Sequence, residues 1–169
     1  MKEKSKYIKI KETKRCDTRV CDPDNLPTKG ELLQESKDHI QAVSDSMNFF
    51  AALLSLTGKF HDHTKIEYID EFYNNFISVM KDNKIEFKDL GWWKKHLTER
   101  HHLNDRVPED VNLIDVFEMV CDCVCAGLAR TGEIRPIEIP YEILDRAVRN
   151  TAKFLEESIK VVKPTKEKK

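Results

Sequence analysis

The sequence predicts an all-α fold, one helical bundle of about five to six helices, because apolar residues recur every three or four positions along most of its length. Glycine and proline are scarce, five and six among 169 residues, which leaves little material for the many tight turns of a β-fold. No internal repeat divides the chain, and a domain of this length hides roughly two-thirds of its unfolded surface, enough for one core.

Residues 1–29 read as a basic extension. Within it, the alternation Tyr7-Ile8-Lys9-Ile10-Lys11 fits a short strand with no evident partner, and Asp-Pro-Asp-Asn-Leu-Pro at 22–27 is turn material. Ile40, Val43, Met47, Phe50 and Leu54 then mark a first helix, or helix pair, over 30–59, with Gly58 as its terminator. Thr64 with Glu67 fits a capping box that opens a second helix on Ile66, Ile69, Phe72, Phe76 and Met80, broken at Asp82-Asn83-Lys84. A third helix covers 88–100 with Trp92, Trp93, His96 and Leu97. One of the tryptophans is expected in the core, with stacking on a nucleobase as the alternative. The fourth follows Pro108, over 109–129, and stops at Thr131-Gly132. Pro136 and Pro140 mark a loop before the fifth, which runs from Tyr141 to Val162 on Ile143, Leu144, Ala147, Val148, Phe154 and Ile159. The helical domain so defined spans 30–162, and 163–169 form a basic C-terminal tail.

Charged residues at 35% and apolar residues at 40% exclude both a membrane-embedded chain and a typical disordered one. No apolar run approaches the roughly 18 residues that span a bilayer, and the basic N-terminus lacks the apolar stretch of a secretion signal. The expected location is the cytoplasm. Five cysteines, an odd number without an export signal, argue for reduced thiols. Cys16 and Cys21 lack a second pair to make a zinc site. Cys121, Cys123 and Cys125 are two apart on a helix, so their sulfurs cannot converge, and all three are expected as small buried hydrophobes.

The net charge of −1 conceals a segregation. Residues 1–19 hold eight Lys or Arg against three acids and 160–169 hold five Lys against one acid, so the two ends carry +5 and +4 and the rest of the chain −10. Solvated ends are the plain reading; attraction to nucleic acid or an acidic partner is the second, less favoured one.

The histidines lift the chain above an ordinary helical domain. All six lie between residues 39 and 102, and five of them fall in His61-Asp62-His63 and His96-Leu-Thr-Glu-Arg-His101-His102. Imidazole nitrogens and carboxylate oxygens are the ligands that Mn, Fe, Co, Ni and Zn prefer. One or two such divalent ions are therefore the expected cofactor.

The order His39, His61-Asp62, Asp122 resembles the HD-domain superfamily of metal-dependent phosphohydrolases, whose pattern is a helical His, a His-Asp doublet and a distant Asp. His61-Asp62-His63-Thr64-Lys65 is similar to the His-Asp-x-x-Lys form of that doublet. The stretch from Trp92 to His102, Glu118-Met-Val-Cys-Asp122 and Ala126-Gly127 resemble an uncharacterised group of small bacterial and phage HD-like proteins. The resemblance covers residues 36–130. It implies His39, His61, Asp62 and Asp122 as metal ligands. It further implies that histidines from the set His96, His101 and His102 hold a second ion, with Asp62 bridging the two. Which of His101 and His102 ligates and which contacts substrate stays open at this level.

The step of 22 positions from His39 to His61 would separate them by about 33 Å on an unbroken helix. His39 as a ligand therefore requires a turn, for which Ser44-Asp45-Ser46 is the candidate. On the fourth helix, Asp115, Glu118 and Asp122 share one face, either as a salt-bridged surface stripe or with at least Asp122 turned inward.

Lys65 lies one helical turn from His61 and is placed to neutralise phosphate charge or move a proton, so Lys65 and Asp62 are the expected catalytic pair. Lys94, Lys95, Arg100 and Arg106 surround the histidines, and Lys95, Arg100, Arg106 and His102 are the expected substrate contacts. The expected activity is hydrolysis of a nucleotide or related small phosphoester. An HD-type di-iron oxygenase and a non-catalytic metal-containing binding protein, alone or as a homo-oligomer, are the alternatives. No Gly-rich phosphate loop or base-reading motif names the substrate.

Overall fold

The computed structural model describes residues 7–12, 16, 17, 19, 22–82 and 85–163. Among them the chain is largely helical, as the periodicity predicts, with six α-helices and one two-stranded ribbon. It divides into two compact units, Met1–Ala52 with Ala152–Lys169, and Leu53–Thr151. Among the described residues no helix is long and apolar enough to cross a membrane. Cys21, the outer parts of both basic ends (1–6 and 164–169), and Asn83-Lys84 of the expected break lie outside the described residues.

In the first unit, the strand β1 (Ile8–Lys11) finds the partner that its alternation does not reveal. It pairs in parallel with β2 (Ile159–Val162), in the register Ile8 to Ile159. The fifth expected helix therefore stops four residues early, because Ile159, Val161 and Val162 are β-branched and fit a paired strand better than a helix end. Ile8 is buried, so this part of the N-terminal extension is packed structure. Lys11 is bonded to Asp38 at 3.0 Å, and Phe49 stacks on Phe154 at 5.9 Å.

Helix α1 runs without a break from Lys29 to Phe60. Thr28 and Glu31 cap it reciprocally: the Glu31 carboxylate accepts from the Thr28 amide and hydroxyl, and the Thr28 hydroxyl accepts from the Glu31 amide. The expected turn at Ser44–Ser46 is absent. The Ser46 hydroxyl donates to the Ala42 carbonyl and Asp45 accepts from the Gln41 amide, so both polar groups are satisfied within the helix.

In the second unit, α1 ends in a two-residue turn, His61-Asp62, followed by the single-turn α2 (His63–Glu67) and then α3 (Ile69–Lys81). The expected Thr64–Glu67 capping box is not formed: Asp62 is the N-cap, and buried Thr64 points its hydroxyl elsewhere. A 3₁₀ turn (Phe87–Asp89) precedes α4 (Gly91–His96), so the third expected helix is only half as long. Helix α5 (Leu113–Thr131) opens on a true capping box between Asn112 and Asp115, and ends at Gly132 with φ 77°. Helix α6 (Tyr141–Ser158) follows.

Leu103, Val111, Met119, Cys123 and Ala147 form the core of this unit. Trp92 is the buried tryptophan, stacked on Phe72 at 4.2 Å and on His96 at 4.6 Å. Of the three α5 cysteines only Cys123 is buried; Cys121 and Cys125 are exposed because a two-residue step turns them to the other side of the helix.

Candidate metal centre

His61 and Asp62 enter the site from the turn after α1. Asp62 stands in the left-handed region, φ 56° and ψ 24°, the one non-glycine residue with positive φ among those described. Asp tolerates that conformation better than most residues, yet it still costs on the order of 1 kcal/mol or more. The strain sits where the chain turns a carboxylate into a ring of imidazoles.

Two sets of potential ligand atoms converge there, His61 with Asp62 and His101, and Asp62 with His96 and His102, and Asp62 belongs to both. Asp62 Oδ1 is 3.4 Å from His96 Nε2 and 3.5 Å from His101 Nε2, while Oδ2 is 3.5 Å from His61 Nε2. His102 Nε2 lies 2.9 Å from His96 Nε2. His101 and His102 each join a different set. Asp122 on α5 completes the ring, with Oδ1 3.6 Å from His61 Nε2. His39 joins neither set among the described residues; it lies on α1 and is exposed.

Behind the ring stands a carboxylate whose spacing in the sequence fits a surface stripe equally well. Glu118 Oε1 lies 3.0 Å from His61 Nδ1 and 3.2 Å from His101 Nδ1, and its side chain is only 10% exposed. At His61 the carboxylate is hydrogen-bonded to Nδ1, which fixes the proton there and turns Nε2 towards Asp62, the usual arrangement behind metal-bound histidine; at His101 it stands at ion-pair distance. His96 is oriented in the same way by Thr64, whose Oγ1 is 2.8 Å from its Nδ1. The Thr64 amide in turn donates to Glu99 at 3.1 Å. Glu118 was detectable from its position three residues after Asp115 and four before Asp122, though a solvated stripe has the same spacing.

The electrostatics separate the two sets. Hydrogen bonds to Asp122 and Glu118 push His61 up to about 10. Burial opposes charge on His101, but Asp62 and Glu118 outweigh it and raise it to about 9. Burial first, and the neighbouring His102 second, push His96 down to about 3, and burial also lowers His102. Against burial, His101 and His61 hold Glu118 down at about 2. Asp62 is depressed well below the usual carboxylate range by His101 and Lys65, although burial opposes this, and Asp122 is lowered by His61.

Asp62 Oδ1 and both ring nitrogens of His101 are buried without a hydrogen-bond partner of acceptable geometry among the described residues. Leaving such groups unmatched costs roughly 1–3 kcal/mol each. A cation ligated by Asp62 and His101 would satisfy Oδ1 and Nε2 together, so the donor set fits a divalent transition metal by its chemistry and by its orphaned atoms.

The basic residues fall into different roles than their proximity in sequence implies. Lys65 donates to Asp62 Oδ2 and so belongs to the site. Arg100 is taken up elsewhere: its guanidinium grips Asp115 at 2.7 and 2.8 Å and Asp110 at 3.0 Å. Lys95 is on the surface, paired with Glu71 and set over the Tyr68 ring. Arg106 is exposed in the turn after His102, whose carbonyl accepts its amide. His63 is also outside the ring, 2.8 Å from Glu99. The second basic group that reaches the ring is Arg135, which no sequence motif marks.

No family model, curated protein or solved structure matches this chain.

Proposed function

We propose that the chain is a metal-dependent phosphohydrolase acting on a nucleotide or related small phosphoester through a dinuclear His/Asp centre. The observation that carries this reading is Asp62 shared between two His/Asp sets, with Glu118 hydrogen-bonded to His61 and within ion-pair distance of His101. The ordered resemblance to the HD superfamily supports the same conclusion. His61, Asp62, His101 and Asp122 would hold one ion, and Asp62, His96 and His102 the other. When bound, such ions polarise a phosphoryl group and bring the pKa of a water towards neutrality.

The chain's own residues supply the rest. Glu118 keeps the Nδ1 proton of His61 in place, so that imidazole does not rotate away as charge moves in the ring, and its charge stands within 3.2 Å of His101. Lys65, on the outer oxygen of Asp62, offers an ammonium donor to a phosphate oxygen and a proton to the departing alkoxide.

The test is phosphate release from nucleoside mono-, di- and triphosphates, cyclic nucleotides and simple aryl phosphates, with Mn or Co and without oxygen. The expected result is turnover that Lys65→Ala lowers at least tenfold while metal content stays unchanged. Turnover that appears only with iron and oxygen would replace this reading with the oxygenase one, and bound metal without any turnover would replace it with a binding protein.

A further inference from the structure

Helix α5 ends at Gly132 in the left-handed region, and the chain folds back along the helix it has just left. Two features pin this return. The Arg135 amide donates to the Cys123 carbonyl at 3.3 Å. At Gly127 the packing is so close that a Cβ would lie 2.4 Å from the Glu133 carbonyl oxygen and 2.7 Å from the Arg135 nitrogen. The return delivers Arg135 to the edge of the ring, where Nη1 is 3.9 Å from Asp122 Oδ2.

At that distance Asp122 does not consume the guanidinium. Arg135 donates no side-chain hydrogen bond among the described residues and is 42% exposed, whereas Arg100 spends its donors on Asp115 and Asp110. A guanidinium carries five donors in a fork that matches phosphate. Of the described Lys and Arg side chains, only those of Lys65 and Arg135 lie within ion-pair distance of a carboxylate of the ring.

Asp122, the carboxylate that Arg135 approaches, also lines a cavity of about 220 Å³, whose apolar side is formed by Leu54, Gly58, Phe117, Cys121 and Cys125. His61, Glu118 and Asp122 form its polar wall. Sites for drug-sized ligands run to roughly 300–1,000 Å³, so this one suits a single ring-sized apolar group.

We propose that Arg135 holds the anionic group of the substrate at the edge of the ring, while the adjacent cavity takes one ring-sized apolar group attached to that anion. This deepens the phosphohydrolase reading and rests on it for the identity of the anion. The substrate class is then a compact monoester of phosphate with a planar or apolar alcohol portion.

Binding of two phosphonates to the Mn-reconstituted full chain tests this without turnover. Phenylphosphonate carries the anion and the ring, methylphosphonate the anion alone. In the wild type, the phenyl compound should bind about tenfold tighter or better, from burial of the ring. Arg135→Gln should weaken both at least tenfold, and Arg135→Lys should restore part of the loss, keeping charge but not the fork. Gly58→Leu adds a side chain where a Cβ meets nothing within 4 Å, and it should bring phenylphosphonate down to the methylphosphonate level while leaving the latter unchanged.

Metal content and far-UV circular dichroism report that each variant is intact. Equal binding of the two phosphonates by the wild type, or unchanged methylphosphonate binding by intact Arg135→Gln, would overturn the proposal. Phosphonate binding as described, with no release of phosphate from phenyl phosphate, would support the anion site and count against the hydrolase reading instead.

Discussion

The Nε2 atoms of His96 and His102 face each other across 2.9 Å, a gap that accommodates one proton or one shared partner but not two protons. Burial depresses both imidazoles, His96 to about 3, so both are neutral at pH 7 and already in the form that ligates a metal. His61 and His101 differ, because carboxylate partners raise them to about 10 and about 9. Each must lose a proton from Nε2 before a metal can take its place.

Metal loading should therefore be separable by pH. At pH 6 one ion should enter the Asp62, His96 and His102 set, with little proton release. Between pH 7 and 9 a second should bind with affinity that climbs steeply, releasing up to about two protons. Titration calorimetry in buffers of different ionisation enthalpy reads both quantities. Two ions bound with the same pH dependence would show that the two sets are not electrostatically distinct.

Stability of the metal-free protein follows from the same groups. His61 and His101 have folded values above the ordinary 6.5, so the stability they contribute is fully present below that value. It is lost as pH rises through about 9 and about 10. Thermal midpoints of apo protein should fall between pH 8 and 10.5, and those of the metal-loaded protein should fall less across that range. A flat apo profile would contradict the ion pairing of His61 and His101 with the carboxylates.

Arg100 and Asp115 are separable from the metal. Asp115 is 2% exposed and accepts two bonds from Arg100 in addition to the Asn112 amide. Removing a partner from a fully buried pair costs roughly 3–5 kcal/mol; Arg100→Ala should cost less, about 2 kcal/mol, since the arginine is partly in solvent. Denaturant unfolding measures this, and metal content of the folded variant should match the wild type. A variant that unfolds normally but loses metal would return Arg100 to the site.

Gly127→Ala probes the return of the chain from α5. The added methyl would collide with backbone atoms of Glu133 and Arg135, and overpacking of this kind costs about 1–3 kcal/mol. Displacement of Arg135 should follow, so methylphosphonate binding should weaken as in Arg135→Gln with metal content retained. Wild-type binding in this variant would show that the 132–135 segment does not depend on that contact.

The sequence carries the helices and most of the ring on its surface, because both depend on short-range patterns. Periodicity marks α1, α3, α5 and α6, and the clustered histidines mark most members of the ring. What stays hidden is settled by long-range contact. Glu118 is indistinguishable from a solvated stripe until His61 and His101 are placed against it. Arg135 follows a glycine turn that no spacing rule links to Asp122. Ser44-Asp45-Ser46 has the composition of a turn, yet bonds to Gln41 and Ala42 keep it helical. Ile159–Val162 continues the helical periodicity of α6 and becomes a strand only because β1 is there to pair with it.

Metal stoichiometry tests the central claim most directly. Elemental analysis of protein purified without chelator and reconstituted with Mn, Fe, Co, Ni or Zn should find about two ions per chain at pH 8, as expected for a two-metal centre. Asp62→Ala should lose both, because Asp62 belongs to both sets, while Asp115→Ala should lose neither. Less than about 0.2 ion per wild-type chain after reconstitution, or equal losses in Asp62→Ala and Asp115→Ala, would contradict the account.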